Sequence, residues 1–257
     1  LIRLSDSHPL GIAVWRLLIA EVFLLPFFIG SLKKEMGGLT RRKMMGLALV
    51  GFSLALHFAL WIWSFEFTKV SSSVILVTTH PLFVAAISVW IFKERLGRKA
   101  VFGLVTALIG SFILIGGDLT ISGETLTGNL LALGGAVMAG IYILAGSRYR
   151  KSVSLPCYAF IVYLWASLFL LIAILVLGID IISTEPREYI ILTALALGPM
   201  LAGHTVYNWA LKYVSPTLVS VSLLGEPVGS TILALLILLE APGPGAVIGG
   251  PIVLFGI

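Results

Sequence analysis

Nine apolar runs of roughly membrane-spanning length take up most of this 257-residue chain and leave few folds open to it. They cover about Pro9–Ile29, Met44–Phe65, Ser71–Phe92, Ala100–Gly116, Asn129–Ser147, Pro156–Leu177, Tyr189–Leu211, Pro216–Leu239 and Gly245–Ile257. A helix rises about 1.5 Å per residue, so about 20 apolar residues cross a ~30 Å hydrocarbon core. The runs are apolar on every side rather than alternating, which argues against barrel strands. Charged residues make up 11% of the chain and mean hydropathy is +1.09, whereas a soluble domain is about one quarter charged. The links between runs are short and hold the turn formers and charges, as in KKEMGGLTRRK, KERLGRK and EAPGPG. A lone Cys157 excludes a disulfide framework and a multi-cysteine metal site. The expected class is an all-α polytopic membrane protein.

One stretch occurs twice. His80–Gly110 reads HPLFVAAISVWIFKERLGRKAVFGLVTALIG, and at an offset of 146 Glu226–Gly256 reads EPVGSTILALLILLEAPGPGAVIGGPIVLFG. Without a gap, Pro81 falls on Pro227, Glu94 on Glu240, Gly97 on Gly243, Gly103 on Gly249 and Gly110 on Gly256. A Pro, a Glu and three Gly in one register point to an internal duplication.

Charge gives the copies a direction. When the links are assigned alternately to the two sides, thirteen of the 17 basic residues fall on one side, among them Lys33, Arg41, Lys93, Arg98, Arg150 and Lys212. Arg3, Lys69 and Arg187 fall on the other, and Arg16 lies inside a run. The rich side is expected to be cytoplasmic. KERLGRK lies there, while its counterpart EAPGPG lies opposite, so the two copies run in opposite directions. That requires an odd number of spans per copy. The second copy has five spans; the first shows four, with a fifth expected before Leu1. The resulting expectation is a ten-span 5+5 inverted repeat, nine spans visible, with repeats at 1–117 and 128–257. Secondary transporters use this construction and place their site near the midplane between the halves.

The duplicated pattern of a mid-span Pro, a Glu at the span end, a Gly-containing turn and a Gly-spaced span resembles the EamA-type transporters of the drug/metabolite transporter superfamily. WRLLIAEVFLLPF, from Trp15 to Phe27, is similar to that family's second span, with Arg16 at its usual Arg position. ALKYVSP, Ala210 to Pro216, is similar to its link between the eighth and ninth spans. The resemblance implies ten helices, both termini cytoplasmic, and movement of small metabolites such as amino acids, frequently outward.

The residues themselves suggest where a substrate would sit. His80 and Glu226 each precede a Pro at the same repeat position, and each lies deep in its span. Pro81 and Pro227 lack an N–H, so their helices must bend and release the carbonyls of Val77 and Leu223. An ionisable group at that depth is costly unless it faces protein or water. Glu226 suits an amine or a proton, and His80 titrates near neutral pH. On the third span of each half, His57 and Trp61 share a face with Ser64, and His204, Tyr207 and Asn208 lie close together. Tyr142 and Tyr163 complete the substrate-binding set. Arg16, Pro81 and Pro227 are read as structural or gating residues, and Arg16 either pairs with Glu21 or reaches another helix. For each there is a plainer reading: kinks for the Pro residues, interfacial belts for Trp63 and Trp209, packed tyrosines with satisfied hydroxyls, and caps for Glu94 and Glu240.

The leading functional expectation is a secondary transporter of small polar metabolites, an exporter or exchanger in the plasma (inner) membrane, with its C-terminus cytoplasmic. Its expected partners are a small-molecule substrate, the lipid bilayer and a coupled proton, without nucleic acid. Gly245-x3-Gly249 and Ala132-x3-Ala136-x3-Gly140 allow close helix packing within the bundle or in a homodimer. No GxxxxGK[ST] loop is present to cradle a nucleotide, and no cofactor or metal is expected. The alternatives are a lipid scramblase or channel of the same architecture and, last, a membrane-embedded enzyme. The chain contains neither GxSxG nor HExxH.

Overall fold

The computed structural model describes residues 2–91, 93, 95–115, 123–182, 185–233, 235–236, 239, 241 and 243–257. Glu94 and Glu240 lie outside them. The regular elements of the described chain are all helical, as the apolar runs require. The helices are α1 (Pro9–Glu35), α2 (Arg41–Ser64), α3 (Val70–Val77), α4 (His80–Trp90), α5 (Arg98–Ile115), α6 (Gly123–Arg150), α7 (Leu155–Leu177) and α8 (Pro186–Leu195). After a π-helical segment, Ala196–Thr205, come α9 (Val206–Ala210), α10 (Pro216–Ser222), α11 (Glu226–Leu233) and α12 (Pro244–Gly256). Proline begins many of them, at Pro81, Pro156, Pro186, Pro216 and Pro244. Its fixed φ suits the first turn, where its missing N–H is not needed. α7 stops at Gly178, whose φ of 65° closes the helix in the left-handed conformation. Six stretches, including Pro9–Glu35 and Leu155–Leu177, are long and apolar enough to cross a membrane. The exposed faces are rich in Leu, Ile, Val and Phe, as lipid contact requires. This is an all-α polytopic membrane protein.

The chain forms two compact units, and each takes helices from both copies of the repeat. The first comprises Leu1–Trp63 with Ile141–Val214, the second Ser64–Gly140 with Ser215–Ile257. In the first unit α1 packs along α7. Phe28 stacks on Phe160 with ring centroids 4.2 Å apart, and a Cβ on Gly11 would lie 3.3 Å from Ile181. As α1 advances from Gly11 to Phe28 its contacts retreat from Ile181 to Phe160, so the helices are antiparallel. The Ser167 hydroxyl donates to the Glu21 carboxyl, and these two residues are 146 apart in sequence. Glu21 and Ser167 are therefore repeat counterparts that touch one another, which places the internal two-fold between them.

The second unit is built the same way. α5 and α12 form its tightest pairing, and glycine is what permits it. A Cβ on Gly103 would lie 2.5 Å from the Gly256 carbonyl oxygen, and one on Gly249 would lie 2.5 Å from the Gly110 carbonyl oxygen. Gly103 and Gly249 are repeat counterparts, as are Gly110 and Gly256, so the two contacts are one contact seen from either copy. They run in opposite order along the two helices, which makes this pair antiparallel too. The opposed directions expected from the basic links are thus visible inside each unit.

The spans carrying Pro81 and Pro227 are broken at matching places. The first divides into α3 and α4 around Thr78 and Thr79; the second divides into α10 and α11 around a 3-10 turn, Leu223–Gly225. The sequence reading left the Val77 and Leu223 carbonyls free for a ligand or water; the structure corrects this. His80 Nδ1 lies 3.1 Å from the Val77 oxygen, and the Glu226 N–H is bonded to the Leu223 oxygen. Each break closes on itself, because a buried carbonyl takes the nearest donor.

Candidate functional site

Seven of the nine residues singled out as substrate-binding lie in the first unit, and the fold brings most of them into one cluster of rings. α2 supplies His57 and Trp61, one turn apart on the same face. Their rings stack, with centroids 5.8 Å apart and planes 12° from parallel. Ser64, the third member of that expected face, instead bonds to Ser73 at 2.5 Å in the second unit. Facing His57 is His204, with centroids 6.3 Å apart. Phe58, which the sequence reading missed, meets His204 edge-on at 5.0 Å. Phe58 and His204 are counterparts under the 146 offset, so a second pair of twins meets at the internal two-fold.

α6 and the α8–α9 span close the cluster. Tyr142 packs against His204 at 6.2 Å and edge-on against Tyr207 at 6.1 Å. The Tyr207 hydroxyl is hydrogen-bonded to His204 Nδ1. Asn208 donates to the Tyr142 hydroxyl at 2.6 Å, and the Tyr163 hydroxyl meets Thr205 Oγ1 at 3.0 Å. His57, Tyr142, Tyr163 and Asn208 are buried, whereas Trp61, His204 and Tyr207 are partly exposed and form the cluster's open edge.

The π-helical segment positions His204. Pro199 interrupts the span and gives no N–H, while Gly198 and Gly203 add little stiffness, so the turn widens to take an extra residue. That shifts the angular register of everything after it, which brings His204, Tyr207 and Asn208 round to Tyr142 and Phe58. The GP dipeptide was the signal for this, but as sequence it reads only as a break.

Three buried ionisable side chains of the first unit, Arg16, Glu21 and Arg150, each have their own partner. Arg16, 1% exposed, has its guanidinium 4.3 Å from the centre of the Phe58 ring. A desolvated cation on an aromatic face is held by up to about 2 kcal/mol. Glu21 is bonded to Ser167 on α7. Of the two arrangements open in the sequence, each reaching another helix is the one observed, because five residues on a helix turn the second side chain well away from the first. Arg150, counted among the basic links, ends α6 with its side chain buried. Its Nε donates to the Asn208 carbonyl oxygen at 2.9 Å, and it also donates to that of Val153. It ties the end of α6 to α9 and fixes Asn208.

The other two candidates lie in the second unit. His80 is buried, and its Nε2 has no hydrogen-bond partner among the described residues. Glu226 begins α11 with an exposed side chain. No hydrogen bond joins the pair among the described residues. A groove in the same unit, between α11 and α12, is lined by Val228, Ile232, Val247 and Leu254 among others and suits lipid chains better than a polar solute.

The comparisons with known proteins identify the family. The model of the EamA-like transporter family matches residues 2–116 and 126–257. The chain belongs to the EamA-like transporter family. An uncharacterized transporter of Clostridium kluyveri is 24% identical over 254 residues, covering 96% of this chain and 82% of its relative. The uncharacterized transporter YdfC of Bacillus subtilis is 25% identical over 259 residues, 99% of this chain and 82% of that one. A solved crystal structure at 20% identity superposes with a TM-score of 0.80, covering 98% of this chain and 86% of the other. That likeness concerns the fold. This EamA-like transporter is thus a multi-pass membrane transporter of the drug/metabolite type.

Proposed function

We propose that this protein is a secondary carrier of small amines and amino acids, binding them at the ring cluster of its first unit. The single observation behind this is the meeting of His57, Trp61, Tyr142, His204 and Tyr207 around the internal two-fold. Ring faces attract an ammonium, and the hydroxyls of Tyr142, Tyr163 and Tyr207 hydrogen-bond a polar solute. A site on the two-fold between inverted halves is equally placed toward both membrane faces, as alternating access requires. The partly exposed Trp61, His204 and Tyr207 are where a solute would enter. His80 and Glu226 are proposed as a second polar point, set by the paired helix breaks.

The basic links support a cytoplasmic C-terminus and a plasma-membrane location, and the family match supports a carrier rather than an enzyme. Transport runs on solute or ion gradients, and an exporter or exchanger suits that arrangement.

Counterflow in proteoliposomes tests the reading. Vesicles holding purified full-length protein are loaded with an unlabelled mixture of amino acids and polyamines, without nucleotide. Labelled members of the mixture added outside are expected to enter transiently above equilibrium. A trace identical to that of protein-free vesicles, or movement of labelled phospholipid only, would overturn the proposal.

A further inference from the structure

Glu21 has no part in the ring cluster, yet it is the most unusual carboxyl in the first unit. It lies twelve residues beyond Pro9, roughly 18 Å into the span at about 1.5 Å per residue, which is near the bilayer centre. Its side chain is 7% exposed. The hydrogen-bond partner the structure gives it is the Ser167 hydroxyl on α7.

The elements around it supply no counter-charge among the described residues. On its own helix, Arg16 lies over Phe58 of α2. On α7, the Tyr163 hydroxyl is engaged with Thr205, and Tyr158 and Cys157 lie farther along the same helix. On α8, Glu188 accepts from Ser5 and Ser7, and Tyr189 packs on Trp15. In the π-helical segment His204 is bonded to Tyr207. A bare carboxylate held in hydrocarbon without a cation is costly, whereas a neutral carboxyl beside a hydroxyl is tolerated.

Position adds a second argument. Glu21 and Ser167 are counterparts at the 146 offset, in contact where α1 and α7 cross. When the two halves exchange conformations, a group on the axis stays central while access to it changes sides. Other buried polar groups, such as His80, lie on no such self-contact.

We propose that Glu21 carries the coupled proton. In the conformation described it holds the proton. When α1 and α7 part toward one side, the O–H bond breaks, the proton passes to water there, and the carboxylate is left behind. When they part toward the other side, hydronium there gives up its proton: one of its O–H bonds breaks, the carboxyl O–H forms, and water is left. This rests on the carrier reading above.

Two measurements separate the possibilities. The first needs no substrate: infrared difference spectra of the reconstituted full chain near neutral pH, wild type minus Glu21→Gln. A carboxylic-acid carbonyl band is expected. Ser167→Ala should shift it by removing its hydrogen bond, and Glu226→Gln should leave it in place. No such band in the difference, or one abolished by Glu226→Gln and untouched by Glu21→Gln, would overturn the proposal. The second uses the same amino acid and polyamine mixture with an imposed pH gradient. Wild type is expected to accumulate solute, while Glu21→Gln, which keeps the shape and hydrogen bond, exchanges solute but only equalises it. Accumulation by Glu21→Gln would also overturn the proposal. Absence of exchange by wild type would sink the carrier reading and the coupling with it, whatever the infrared result.

Discussion

Gly249→Ala is expected to lower the unfolding temperature of the purified protein more than any other single methyl addition on α12. The new Cβ would sit 2.4 Å from the Leu114 nitrogen and 2.5 Å from the Gly110 carbonyl oxygen. Both are backbone atoms of α5, so no side chain can swing aside and the two helices must separate. Overpacking of this kind costs about 1–3 kcal/mol, and the cost here is expected at the upper end, because the displaced group is a whole helix. Gly30→Ala is the control. Nothing lies within 4 Å of a Cβ built there, and replacing a mid-helix Gly by Ala gains roughly 0.5–1 kcal/mol. Thermal unfolding in detergent, followed by tryptophan fluorescence, should give shifts of opposite sign for the two variants. Equal shifts would mean that the glycine pairing of α5 and α12 is not what holds the second unit together.

His204→Phe is expected to have the largest effect on transport. Phenylalanine fills the ring volume and keeps the edge contact with Phe58, so the fold should survive. It cannot bond to the Tyr207 hydroxyl, which is then free to turn away from the site. Losing one oriented polar contact is worth about 1.4 kcal/mol, or about a tenfold fall in apparent affinity, read as a rise in the half-saturating concentration in counterflow. Trp209→Phe, at an exposed position with its ring tilted against Tyr213 near the helix end, should change little. An unchanged half-saturation in His204→Phe would remove His204 from the site.

What was legible in the sequence followed from patterns that hydrocarbon enforces. The spans begin and end close to where the apolar runs do, because polar backbone and charges are excluded from the same depth. The inversion was legible because basic links mark one membrane face, and α5 with α12, and α1 with α7, do pack in opposite directions. The ring cluster was half legible: His57 and Trp61 share a face by simple helical spacing, but Phe58 reads as one more apolar residue. Tyr142 and Tyr163 read as cavity-lining or packed tyrosines, and sequence does not show that Asn208 and Thr205 meet their hydroxyls.

The rest was hidden for definite reasons. The carbonyls behind Pro81 and Pro227 looked free because sequence shows the missing donor but not the substitute, an imidazole in one copy and the Glu226 N–H in the other. Arg150 reads as one more charge of a basic link, and sequence does not show that its guanidinium reaches the Asn208 and Val153 carbonyls. The Glu21–Ser167 contact did leave a trace. Both are polar, both lie in apolar spans, and they stand at one repeat position, but a Glu opposite a Ser lacks the identity that makes the Pro and Gly matches stand out.

Ligand-induced stabilisation tests the central claim most directly, because a compound that binds only the folded protein raises its unfolding temperature. Amino acids, amines and nucleosides are screened against the wild-type full chain, and the best compound is then applied to two double variants. Trp61→Leu with His204→Leu empties the ring cluster, and His80→Leu with Glu226→Gln removes the ionisable pair of the second unit. The shift is expected in wild type, reduced in the second variant and abolished in the first. A shift that persists without Trp61 and His204 would contradict the placement of the substrate at the ring cluster.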